Sequence, residues 1–96
     1  MLILHVATRT DWEAAQDSGW YRGNTLDNEG FIHCCTPAQL MHVLTRYFPQ
    51  IVGHVLIEID TTLLTSELRW EGSPDAFPHL YGPLNTSAVT RLKHFW

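Results

Sequence analysis

The chain has 96 residues, 45% of them apolar and 17% charged, with a formal net charge of −4. That length supports one domain with a modest core, and the composition is globular rather than disordered. The negative balance excludes generic binding to nucleic acid or anionic membrane, which needs a basic surface, but not a small basic pocket that grips a phosphate.

Residues 2–7 are a short, apolar, partly β-branched run and predict a strand. Thr10 with Glu13 three positions later makes a capping box for a helix that Gly19 stops, with Trp12 and Ala15 on its apolar face. Residues 20–22 read as an edge strand, followed by a polar turn through Gly23-Asn24 and Asp27-Asn28. Residues 31–34 read as a buried strand. Thr36, Pro37 and Gln39 then supply cap, first-turn proline and capping-box partner for a second helix. Its apolar row is Leu40, Val43, Leu44 and Tyr47, and Pro49 ends it.

Residues 54–60 alternate, with Val55, Ile57 and Ile59 on one face, and predict a half-polar strand. Residues 68–71 predict another, with Arg69 and Glu71 sharing a face. A loop from Gly72 to Phe77 leads to a short strand at residues 79–81, stopped by Pro83. Residues 89–95 complete the set. Two short helices early and strands late predict an α+β domain rather than a repeating βαβ fold.

Candidate chemistry centres on histidine. Three of the six, His5, His33 and His79, fall within apolar or aromatic strand segments, where a buried imidazole needs a partner or a ligand. His42, His54 and His94 lie off the main apolar rows and read as structural or incidental. Three imidazoles can hold zinc with an open fourth position, yet no His-x-His or His-x-x-x-His pair is present, so no metal is assigned. Cys34 and Cys35 are adjacent, too close for an ordinary disulfide, and read as small buried thiols in a reduced, cytoplasmic protein. His33 and Cys35 share a strand face and are the local thiol–imidazole pair. The start of the chain has no basic n-region, and no apolar run approaches the roughly 18 residues of a spanning helix.

Taken together, His5-Val6-Ala7-Thr8 before Asp11-Trp12, Glu29-Gly30-Phe31-Ile32-His33-Cys34, Leu68-Arg69-Trp70-Glu71 and Phe77-Pro78-His79-Leu80-Tyr81-Gly82-Pro83 resemble the small bacterial family called domain of unknown function 952. The resemblance covers nearly the whole chain. It implies an ADP-ribosyltransferase-like fold, a split β-sheet around a cleft that binds nicotinamide dinucleotide in active relatives. By that resemblance His5 matches a first-strand histidine that holds ribose, with Val6 and Ala7 where a Gly and a Ser or Thr are usual and Thr8 adjacent. His33 falls near a tyrosine that stacks on nicotinamide, and His79 near a ribose-gripping glutamate, with Tyr81 beyond it.

The resemblance thus implies His33 and His79 as catalytic residues, and His5, Thr8, Arg69, Glu71 and Tyr81 as nucleotide-binding residues. NAD, ADP-ribose or a related nucleotide is the implied small-molecule partner, and NAD a substrate rather than a fixed cofactor. Three functions stay open on the sequence: an ADP-ribosyl- or phosphotransferase-like enzyme, a ligand-binding or interaction module that has lost the chemistry, and a three-histidine metal site.

Overall fold

The computed structural model describes residues 1–95. Eight strands and three α-helices follow one another as β1 (Leu2–Thr8), α1 (Arg9–Ser18), β2 (Trp20–Tyr21), α2 (Thr25–Glu29), β3 (Ile32–His33), α3 (Leu40–Tyr47), β4 (His54–Asp60), β5 (Glu67–Glu71), β6 (Phe77–Tyr81), β7 (Leu84–Asn85) and β8 (Val89–His94), with three single 3-10 turns between them. All strand pairs are antiparallel. They form sheets of order β1-β4-β8, β3-β6-β5 and β2-β7.

Several element boundaries depart from expectation. Thr8, not Thr10, caps α1: it ends β1 in extended backbone, and its hydroxyl accepts from the Asp11 amide at 3.1 Å. Gly19 stops the helix in the left-handed region, as its position implies. The polar stretch read as a turn contains α2, so there are three helices rather than two. At five residues this helix is too short to show a period. The expected helix from Thr36 is present with both capping-box hydrogen bonds, but its first turn is 3-10 and α3 proper starts at Leu40. β3 is reduced to Ile32–His33 because at Cys34 and Cys35 the chain changes neighbours. β6 begins earlier than expected, at Phe77, and β7 forms just beyond Pro83.

β4 is central in its sheet, and the half-polar reading holds only in part. Val55, Ile57 and Ile59 are fully buried on one face, joined by Ile3, Trp12, Ile32, Leu80 and Leu84 in the larger core. Leu56 is buried on the other face with Leu4, Val6 and Cys35, because Leu40, Val43, Leu44 and Phe48 of the α3 region pack over it. Both faces of the strand are therefore covered. Among the described residues, no helix is long and apolar enough to cross a membrane.

The two three-stranded sheets meet at one point. Leu4 and Cys35 exchange backbone hydrogen bonds of 2.7 and 2.8 Å, while the preceding Cys34 amide still donates to Pro78 of β6. A single bridge joins β1 to the β3 chain, and beyond it the two diverge. The two sheets part there, and residues from both sides of the split line a cleft.

Candidate functional site: a histidine-lined cleft at the split in the sheet

The cleft has a volume of about 710 Å³. His5, His33 and His79 all line it, with Glu29, Glu71 and Asp11 as its carboxylates. Strand alternation explains how β3 and β6 present their histidines. His33 lies directly across from His79, and His79 across from Arg69, so the three side chains form one row on one face of the β3-β6-β5 sheet.

Each of the two cleft imidazoles in this row has its own carboxylate. His79 Nδ1–H donates to Glu71 Oε1 at 2.9 Å, which leaves Nε2 as the nitrogen available to a ligand. The Tyr81 hydroxyl donates to the same Glu71 oxygen at 2.5 Å. These two bonds, Tyr81 first, hold the Glu71 carboxyl below the usual carboxylate range, and the carboxylate in turn raises the Tyr81 phenol. His33 Nε2 lies 3.2 Å from Glu29 Oε2. The His33 side chain is 49% exposed against 15% for His79, so His33 is the open member and His79 the seated one. Their rings meet edge-on with centroids 5.2 Å apart, and Phe31 stacks on His79 at 4.2 Å.

His5 is held differently. A carbonyl only accepts, so Nδ1–H must donate to the His33 carbonyl, at 2.5 Å. Nε2 then accepts from the Tyr21 hydroxyl at 2.8 Å. Burial lowers the His5 pKa to about 4, so the ring is neutral at physiological pH. Burial likewise pushes the Tyr21 phenol well above its ordinary value. By the alternation seen at Leu4, the His33 carbonyl points at β1. The His5 side chain thus takes the bond a continued ladder would have made. Both of its ring nitrogens are engaged inside the protein.

The remaining sequence candidates sort by position. Thr8 lines the cleft, its oxygen already accepting from Asp11 and its proton still available. Arg69, at the far end of the row, and Tyr81 are not among the residues lining the cleft. The Arg69 guanidinium lies 4.3 Å from the Tyr81 ring centre and binds Glu67 at 3.0 Å. Cys34 and Cys35 are buried, and desolvation raises both thiols, Cys35 to about 11, so neither forms a ready thiolate. Among the described residues no group of three or more His, Cys, Asp or Glu side chains has the arrangement of a metal site. His5 has no nitrogen to offer one. Three residues of the site were not singled out from the sequence: Glu29, four positions before His33; Phe31; and Tyr21. The spacing of Glu29 to His33 was the one local signal available.

One solved structure similar to this chain is the crystal structure of protein CC0527 from Caulobacter crescentus, 33% identical, with a TM-score of 0.87 over 96% of this chain and 83% of that one. The solution structure of the same protein is 36% identical, with a TM-score of 0.78 over 95% and 81% of the two chains. No curated protein matches the sequence. Residues 6–92 match the family described as protein of unknown function (DUF952), a span that takes in β1 from the cleft edge, both imidazole–carboxylate pairs and most of β8, and the chain belongs to that family.

Proposed function

We propose that the cleft binds the base-and-ribose end of a nucleotide such as NAD, ADP-ribose or a related compound. His33 and His79 then act on it as an acid–base pair in a transferase-type reaction. The observation that carries this reading is the pair itself: two imidazoles 5.2 Å apart, each on a carboxylate, beside an aromatic ring. One can give a proton while the other takes one, and Glu71 fixes which nitrogen of His79 does so. A cavity of about 710 Å³ lies in the range of small-molecule sites, roughly 300–1,000 Å³.

Two further features support a nucleotide-type ligand. Leu4 turns its N–H and C=O toward the split, so Val6, two residues on, turns its own the same way, beyond the last bridge and into the cleft. That edge can pair with an amide-bearing ring whatever the Val6 side chain is. The carboxylate that the resemblance leads one to seek at the position of His79 arrives beside it from β5, as Glu71. In this reading Thr8 offers a hydroxyl donor to ribose, His5 holds the split open, and Tyr81, with the Arg69 guanidinium over its ring, braces Glu71.

Calorimetric titration and thermal shift with NAD and ADP-ribose test the proposal. Ligand at one hundred times its dissociation constant stabilises the fold by about 2.7 kcal/mol. H79A should lose the shift. The engaged nitrogens of His5 favour a second reading, a binding module without turnover. Heat on binding with no release of nicotinamide from NAD would select it. No heat from any of these ligands at millimolar concentration would remove the nucleotide proposal.

A further inference from the structure

The charges lining the cleft bear on which form of such a ligand it takes. Asp11, Glu29 and Glu71 all line it, and among the described lining residues there is neither lysine nor arginine. Two arginines near the site are already committed, and Arg9, next to Thr8, does not line the cleft. Arg22, just before α2, binds Asp27 at 2.7 Å, and Arg69 binds Glu67 at 3.0 Å while lying over Tyr81. His5 is neutral, with both nitrogens engaged. Besides His5, the histidines among the described lining residues are His33 and His79, each facing a carboxylate of its own, and His54, whose ring packs edge-on against Phe48.

A site that grips phosphate places backbone amides, Arg or Lys against it. This wall presents carboxylates instead. A pyrophosphate here would meet like charge in a partly desolvated space, where the repulsion is less screened than in water. The neutral parts of a nucleoside meet no such penalty. The aromatic rings of Phe48 and Phe77, the Val6 edge and the Thr8 hydroxyl all line the cleft and suit an uncharged ring and ribose, and a positively charged ring suits the carboxylates.

We infer that the cleft selects a phosphate-free ribonucleoside, with a neutral or cationic base, over the corresponding nucleotide. The inference rests on the nucleotide-type reading above and narrows it. Binding chemistry then has a signature opposite to that of an ordinary nucleotide site. Any residual affinity for the phosphorylated form rises with salt, because screening weakens the repulsion.

The test compares adenosine with AMP, and nicotinamide riboside with NAD, by calorimetry on the wild-type protein at neutral pH, at low and at moderate ionic strength. At least one nucleoside is expected to bind ten or more times more tightly than its phosphorylated counterpart, with the gap closing as salt is added. Asp11→Asn removes one cleft charge with little change of shape. It should raise affinity for AMP about three- to fivefold and leave adenosine, which carries no charge, unchanged. Tighter binding of AMP or NAD than of the nucleosides, weakening with salt, would overturn this inference while leaving the nucleotide-type reading intact. No binding by any of the four at millimolar concentration would overturn both.

Discussion

His5 shows how one residue ties chemistry to stability. Its pKa falls from 6.5 to about 4 on folding, chiefly through burial. As pH drops, the unfolded chain takes up the proton first, so the folded state loses ground between about 6.5 and 4 and is unaffected above that window. By pH 4 the loss reaches about 3 kcal/mol. Urea denaturation at pH 7 and at pH 4.5 checks this. His5→Asn keeps a donor for the His33 carbonyl but cannot be protonated, so its loss over that interval should be smaller than the wild type's by most of that amount. An equal loss in both would show that His5 is not desolvated. Glu71 makes a second residue-scale prediction. Glu71→Gln removes the charge that raises the Tyr81 phenol, so spectrophotometric titration should find one tyrosine ionising at lower pH than in the wild type. The three strand histidines were legible because each interrupts an apolar segment. Their partners were not: the Glu71–His79 contact depends on the β5–β6 register, and Glu29 reaches His33 only because Gly30 turns the chain back at φ 87°.

At the scale of elements, sequence signals worked where a local hydrogen bond decides the structure. The Thr36 hydroxyl accepts from the Gln39 amide at 3.3 Å, and the Gln39 side chain accepts from the Thr36 amide at 2.9 Å. Thr36→Ala should therefore cost about 1 kcal/mol. Thr10-x-x-Glu13 carries the same pattern but does not act as a cap, because Thr8, at the end of β1, reaches the first turn sooner. β7 was hidden behind Pro83, whose carbonyl serves instead as the acceptor for Ser66 Oγ at 2.7 Å. That bond makes the turn before it intolerant. Gly82 has φ 147°, and a Cβ there would lie 2.5 Å from Ser66 Oγ, an atom already fixed by its own bond. At Gly53, with φ 86°, a Cβ would meet nothing within 4 Å. Gly53→Ala should cost about 1 kcal/mol for the left-handed backbone alone, and Gly82→Ala distinctly more. Thermal denaturation of the two variants side by side reads the difference. Equal costs would mean that Ser66 gives way freely.

For the whole molecule the question is whether a sheet joined through one bridge behaves as one unit or two. Hydrogen bonding alone would favour two, since Leu4 and Cys35 supply the only backbone ladder contact between the β1-β4-β8 and β3-β6-β5 sheets among the described residues. Packing argues the other way. Ile3, Val55, Ile57 and Ile59 from the first sheet and Ile32 and Leu80 from the second are all fully buried in the same core. Fully burying such side chains is worth roughly 1.5–3 kcal/mol each, against about 1 kcal/mol for a net hydrogen bond, so the shared core outweighs the interrupted ladder. Opening the β3-β6-β5 sheet would expose Ile32 and Leu80 and leave a void against β4, which couples the two losses. The amides of Ile57 in β4 and Leu80 in β6 should therefore exchange with solvent through the same global unfolding event, with matching free energies of opening and matching dependence on denaturant. If Leu80 opened at markedly lower free energy than Ile57, the split would be an energetic boundary as well as a geometric one. The cleft would then sit between two independently unfolding parts instead of in a gap within one cooperative structure.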